Sequence, residues 1–223
     1  MSFDAVAPHY RWLEVVLAGP LLQRCRTRFS PALDDARRVL VLGPGRGRFV
    51  IDLLARNPVA HVTLVDASAS MLEYLSRDLA RARVSPDRIE LVHADLRHYW
   101  PPAARFDAIA SHFVLDCFTA DELSGVVARV ATAAAERARW VIADFAVPER
   151  GWRRWRARAI HAAMYGAFRA ATGLSARRLT PPDPFLERAG FRLRARAHES
   201  CRLLHTDLWE RGGSRTASAP PVP

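Results

Sequence analysis

From Arg37 onward, short apolar runs alternate with amphipathic stretches, and turn or charged residues close each run. Apolar runs this short read as strands buried in a parallel sheet, with the amphipathic stretches as crossover helices. The pattern predicts strands at Val39–Leu42, His61–Val65, Ile89–His93, Phe106–Ala110 and Trp140–Asp144. The intervening segments are long enough for a crossover helix or its short equivalent. Two S/T-x-x-E boxes, Ser70 with Glu73 and Thr119 with Glu122, predict helix starts, since each can satisfy N–H groups that a first turn leaves free. Beyond Asp144 the spacing predicts a long Arg-rich helix over Trp152–Ala171 closed by Gly173, and a short helix over Pro184–Ala189 ending at Gly190. Phe191–His198 and Leu203–Trp209 then read as two strands paired antiparallel in a hairpin. Ahead of the alternating region, Phe3–Leu22 carries Val6, Tyr10, Leu13 and Leu17 at helical spacing, with a possible break at Pro8. The expectation is a doubly wound α/β fold with three parts: a helical lid at 1–36, a main domain at 37–211, and a disordered tail at 212–223 of Gly, Ser, Ala and Pro.

Length and composition narrow this further. A chain of 223 residues, half apolar, can bury one α/β core but not two comfortable ones. No apolar stretch is long enough for a membrane span, because Arg, Glu, His or Pro interrupts each. Met1 is followed by Ser2, Phe3 and Asp4 without a basic or long apolar leader, so a cytoplasmic location is expected. Cys25, Cys117 and Cys201 stand far apart with no His at ligand spacing, which predicts neither a disulfide framework nor a metal site. The formal charge of +10 is carried without a single Lys. In an Ala-rich chain that points to codon bias, with a polyanionic partner as the competing explanation.

The candidate chemistry begins at Val39-Leu-Val-Leu-Gly43-Pro-Gly45-Arg-Gly47-Arg-Phe49, a buried strand running into alternating glycines and then a helix. Glycines let a ligand approach the backbone closely and permit the tight turn that aims helix N–H groups at it. The spacing disfavours a dinucleotide, whose GxGxxG fingerprint would place its third glycine where Arg48 stands. Asp66 ends the second strand about twenty residues further on, where a carboxylate can accept from both hydroxyls of a ribose. Read alone, an Asp here more often caps a helix. Asp95 follows the third strand in Val92-His-Ala-Asp95-Leu96, and Ser111 and His112 follow the fourth.

The glycine loop resembles the GxGxG loop of class I S-adenosylmethionine-dependent methyltransferases, and Asp66 and Asp95 follow in that family's order. The resemblance runs from Phe3-Asp-Ala-Val-Ala-Pro-His-Tyr10, similar to the first helix of small-molecule enzymes including quinone-biosynthesis C-methyltransferases, to Leu186-Glu-Arg-Ala-Gly-Phe191. It implies a Rossmann-like sheet of seven strands, mostly parallel with an antiparallel C-terminal strand, and helices on both faces. It also implies S-adenosylmethionine as cofactor. Gly43, Gly45 and Gly47 would pass the methionine part, Asp66 would take the ribose, and Ala67 and Met71 would line the adenine. Asp95 would accept from the adenine amino group with Leu96 packed on the ring, and Tyr10 and Ser111 would complete the cofactor site. No metal is implied. His112 is the first candidate for a general base, since an imidazole can accept a proton near neutral pH. His161 and Tyr165 stand behind it, and Asp116 is a further candidate; each can instead pack or line a pocket.

Methyl transfer from a sulfonium needs chiefly positioning and exclusion of water, so a dedicated base is optional. The expected acceptor is a small, partly apolar molecule. A nucleic-acid methyltransferase is the alternative, prompted by Arg150-Gly-Trp152-Arg-Arg-Trp155-Arg-Ala-Arg158, where Arg with interleaved Trp can grip phosphate and stack bases. The same run can be a solvated helix face or a peripheral membrane contact. Ser111-His-Phe-Val is not the Asn/Asp-Pro-Pro-aromatic tetrad of base-amino methyltransferases, and no Pro-Cys supplies a C5 nucleophile. A non-catalytic cofactor-binding regulator is a further alternative. Without Lys, the Tyr-x-x-x-Lys pair of nicotinamide oxidoreductases is excluded.

Overall fold

The computed structural model describes residues 19–146, 155, 179–200 and 202–212. Seven strands, β1 (Arg38–Leu42), β2 (His61–Asp66), β3 (Ile89–His93), β4 (Phe106–His112), β5 (Ala134–Phe145), β6 (Phe191–Glu199) and β7 (Leu204–Arg211), form one sheet. Their order is β3-β2-β1-β4-β5-β7-β6. β1 to β5 pair in parallel, and β7 is antiparallel to both β5 and β6. All seven expected strands are present, and the final pair is the expected hairpin. The described helices are α1 (Gly19–Thr27), α2 (Arg48–Arg56), α3 (Ala69–Arg81), α4 (Ala120–Ala133) and α5 (Asp183–Arg188).

Alternation along the strands explains the layers. Leu40, Leu42, Ile109, Trp140 and Ile142 point to one face and pack with Leu123, Val126, Val127 and Val130 of α4 and Leu186 of α5. Val39, Val41, Ala108, Ala110 and Val141 point to the other, against Phe49, Val50, Leu53 and Leu54 of α2 and Leu72, Leu75 and Leu79 of α3. α1 covers the sheet at Ala143 and Leu204 through Leu22 and Cys25.

The differences from the sequence reading are local. At Thr119 the capping box is complete, the hydroxyl accepting from Glu122 N–H while the Glu122 carboxylate accepts from Thr119 N–H. At α3 the cap is Ser68, whose side chain accepts from Met71 N–H, and Ser70 lies inside the helix. Asp66 bonds Ser68 N–H at 3.0 Å, so the chain turns into the helix two residues earlier than the Ser70 box suggests. β5 begins directly at the end of α4, with Ala134 opposite Phe106 but Arg139 already opposite Ala108. The extra residues bulge, which hid the first half of this strand from an alternation count. Only turns link β3 to β4, the short form of crossover. Gly212, placed by the sequence reading in the tail, closes β7 at φ +72 in a position where a Cβ would overlap the Glu136 carbonyl. The predicted Phe3–Leu22 helix, except its last residues in α1, and the Trp152–Ala171 helix, except Trp155, lie outside the described residues.

Candidate functional site

The strand order reverses between β1 and β4, and at such a switch point the loops leaving the two strands part to open a crevice. The β1–α2 loop borders it. Gly43, Gly45 and Gly47 all have positive φ, at +60, +55 and +75. At Gly43 an added Cβ would stand 2.9 Å from Val114 Cγ2, and at Gly47 it would overlap Leu75 Cδ1 of α3. Glycine is therefore required at these two positions by conformation and by packing. Gly47 is also the N-cap of α2 and has no side-chain oxygen to offer, so no cap side chain satisfies the free first-turn N–H groups. A cavity at this loop is lined by Arg26, Gly43, Gly45, Arg48, Phe49 and His112, a cationic, N–H-rich wall suited to an anionic group such as a carboxylate.

Two carboxylates stand at the ends of the neighbouring strands. Asp66 ends β2, its Oδ1 accepting from Ser68 N–H, and Ala94 N–H bonds the Asp66 carbonyl at 3.0 Å, which ties the ends of β2 and β3 together. Asp95 accepts from Arg97 N–H at 2.9 Å and is forked by the Arg97 guanidinium. Burial pushes the Asp95 carboxyl up, but the hydrogen bonds and charge of Arg97 outweigh it and hold the group below the usual carboxylate range. Ala67 is exposed beside Asp66, while Met71 and Leu96 are buried. The structure thus gathers the glycine loop, Asp66, Ala67, Met71, Asp95 and Leu96 along the same end of β1, β2 and β3.

The residues at the end of β4 and in the turn that follows behave differently. Ser111 is fully buried and its hydroxyl accepts from the Trp140 indole N–H at 2.9 Å, so its side chain is spent on the core. His112 is buried edge-on against Phe49, with ring centroids 4.4 Å apart, and its Nε2 has no partner among the described residues. Burial, then the nearby Arg26 charge, lowers its pKa to about 3. The ring is therefore neutral, but it is a weak base. Asp116 is buried on the turn after β4, and its N–H bonds Asp144 Oδ2 at 3.2 Å. Burial, then the Asp116 charge, pushes the Asp144 carboxyl well up.

The sequence reading missed four groups near this end of the sheet. Arg26, from α1, is buried with its guanidinium 5.3 Å from the Phe113 ring centroid and lines the glycine-loop cavity. Asp144 is the penultimate residue of β5, close to the strand-end place that Asp66 holds in β2, a signal that was visible in sequence. His205 lies opposite Asp144 in the strand register, and its Nδ1 is 3.1 Å from Asp207. Burial pushes the Asp207 carboxyl up, but Arg196 and His205 outweigh it and hold the group down. Tyr10, His161, Tyr165 and the Arg150–Arg158 cluster, apart from exposed Trp155, lie outside the described residues. Among the described residues no His, Cys, Asp and Glu group could hold a metal ion, and no helix is long and apolar enough to cross a membrane.

Residues 39–137 match a family model described as a methyltransferase domain. A trans-aconitate 2-methyltransferase of Azoarcus sp. is 41% identical over 83 residues, which are 37% of this chain and 30% of that protein. Polyamine aminopropyltransferase 2 of Hyperthermus butylicus is 37% identical over 102 residues, 44% of this chain and 31% of that protein. The chain therefore spans about a third of the length of the curated relatives it matches. In fold it is similar to the 1,6-didemethyltoxoflavin-N1-methyltransferase of Burkholderia thailandensis, solved with S-adenosylhomocysteine. That likeness has a TM-score of 0.67 at 17% identity, over 94% of this chain and 86% of the other.

Proposed function

We propose that the chain is a class I S-adenosylmethionine-dependent methyltransferase acting on a small, partly apolar acceptor, a reading supported by the match of residues 39–137 to a methyltransferase-domain model. The observation that carries the reading is the positive-φ glycine loop set beside Asp66 and Asp95 at adjacent strand ends. This donor set fits the cofactor. Asp66 would hold the ribose hydroxyls and Asp95 the adenine amino group, both as charge-assisted acceptors. Ala67, Met71 and Leu96 would line the base. Gly43, Gly45 and Gly47 would admit the methionine part, with Arg26 placed for its carboxylate, and Tyr10 belongs to the same proposed set.

When bound, the cofactor supplies a methyl group already activated on a sulfonium, so the protein's task is positioning and the exclusion of water. His112, neutral and weakly basic, would shape the cavity wall with Phe49 rather than take a proton. Ser111 would act by holding Trp140 under the strand end. Asp116 and Asp144 fix the turn after β4 by their mutual hydrogen bond and so set the wall facing the acceptor. An acceptor that arrives ionised, such as a carboxylate or an acidic phenol, needs no base, and this suits a site whose best-placed His is a poor one. The name of the trans-aconitate relatives makes polycarboxylates a class to test beside phenols and quinones. A cytoplasmic location and the division into lid, main domain and tail belong to the same reading.

The test is formation of S-adenosylhomocysteine when the protein and S-adenosylmethionine are offered polycarboxylates, phenols, quinones and RNA in parallel. Turnover with a small molecule supports the reading. Turnover with RNA alone overturns it in favour of a nucleic-acid methyltransferase acting through Arg150–Arg158, and cofactor binding without turnover on any acceptor favours a regulator.

A further inference from the structure

Arg97 makes more bonds to Asp95 than a surface ion pair requires. Its Nε stands 3.0 Å from Oδ1 and 3.1 Å from Oδ2, its Nη2 donates to Oδ2 at 2.7 Å, and its own N–H donates to Oδ1 at 2.9 Å. The far side of the same guanidinium, Nη1, donates to Glu122 Oε1 at 3.3 Å. Glu122 is itself fixed, because its Oε2 accepts from Thr119 N–H at 2.9 Å and from the Thr119 hydroxyl at 3.0 Å in the capping box of α4. The backbone of the turn is also held. His98 and Tyr99 donate to the Asp95 carbonyl at 2.8 and 2.9 Å, and Arg129 Nη2 donates to the Leu96 carbonyl at 3.3 Å.

A carboxylate has about four lone-pair sites. The N–H, Nε and Nη2 of Arg97 bring three hydrogens to them, the Nε hydrogen being shared between Oδ1 and Oδ2, so the acceptor capacity still open lies at Oδ2. Asp95 is thus a carboxylate with its rotation locked and one acceptor direction still open. We infer that Arg97 is a positioning residue that aims this remaining lone pair of Asp95 at the adenine amino group and so makes the cofactor site selective for adenine over hypoxanthine. The inference rests on the proposed reading of Asp95 as the adenine acceptor. Adenine presents an N–H donor at its six position, whereas hypoxanthine presents a carbonyl oxygen there. An ionised, immobile acceptor bonds the first and repels the second. A carboxylate free to rotate could swing away and hydrate, since the Asp95 side chain is one-third exposed. The selectivity would go with it.

The experiment titrates the full chain calorimetrically with S-adenosylhomocysteine and with S-inosylhomocysteine. The wild-type protein should favour the adenosine compound by about tenfold or more, as loss of one bond to a charged group implies. Arg97→Ala should weaken S-adenosylhomocysteine about tenfold and change S-inosylhomocysteine less than about twofold, so the ratio approaches one. Arg97→Lys should restore part of the ratio. If Arg97→Ala fails to fold by circular dichroism, Arg97→Gln is read in the same way. Equal losses for both compounds would mark Arg97 as merely structural, and an unchanged ratio would remove its role; either overturns the inference. Asp95→Asn separates the two levels. If it abolishes the ratio while the Arg97 variant keeps it, only the positioning inference falls, and if it too keeps the ratio, the reading of Asp95 falls.

Discussion

Replacing Gly47 with Ala puts the largest calculable strain on the glycine loop. At φ +75 an L-residue pays roughly 1–2 kcal/mol for the left-handed conformation. The new Cβ also overlaps Leu75 Cδ1, and Leu75 is fully buried in the α3 layer among Leu72, Leu79 and the β1 side chains, so it has nowhere to turn. Overpacking of that kind costs about 1–3 kcal/mol. Restricting the unfolded chain returns roughly 0.4–1 kcal/mol. The net loss is about 2–4 kcal/mol, which for a chain of this size lowers Tm by roughly 5–15 °C. Gly125→Ala is the control, because Gly125 sits inside α4 and its added Cβ meets only the tip of the Arg129 guanidinium, 3.2 Å away, which needs to give by only a few tenths of an ångström. Helix propensity there favours Ala by up to about 1 kcal/mol. Urea and thermal denaturation of both variants read the difference. A Gly47→Ala protein with Tm within about 2 °C of wild type would refute the argument from conformation and packing.

Other predictions follow from the same geometry. Asp66→Ala should weaken S-adenosylhomocysteine roughly a hundredfold, since two bonds to a charged acceptor are lost at about 1.5 kcal/mol or more each; unchanged affinity by calorimetry would displace the site. The His112 imidazole, with its pKa lowered to about 3 by burial and Arg26, should show no NMR titration above pH 5, and a midpoint near that of free imidazole would contradict its burial. Asp207→Asn should destabilise the protein by about 3 kcal/mol at pH 7, because it leaves Arg196 short of a buried partner. The Asp207 carboxyl lies lower in the folded than in the unfolded state. Its contribution is therefore present above the ordinary Asp pKa and is lost as pH falls through the folded value, so wild type and variant should converge in acid denaturation.

How much of this was legible in the sequence depended on whether a signal was periodic or depended on contact. The strands were readable because burial on both faces demands continuous apolar runs, as in Val39–Leu42. The first half of β5 was not, because Glu136 and Arg137 lie in the bulged stretch and interrupt the run. Gly43, Gly47, Asp66 and Asp95 were readable because turns and strand ends require particular residue types. The chemistry of His112 was not, since an imidazole is a base or a weak one according to its burial, and nothing local in Ser111-His-Phe reports that. Arg26 and Arg97 were invisible for another reason. In a chain whose every Lys-type position is Arg, one more Arg carries no signal until its partners are placed around it. His205 likewise gained interest only when the hairpin register set it opposite Asp144.

The central claim is that the glycine loop and the two strand-end carboxylates form a site for S-adenosylmethionine. Calorimetric titration with S-adenosylmethionine, S-adenosylhomocysteine and NADH side by side tests it most directly. The account predicts micromolar binding of the two sulfur nucleosides and none of NADH, whereas binding of NADH alone would contradict the glycine spacing and the site built on it.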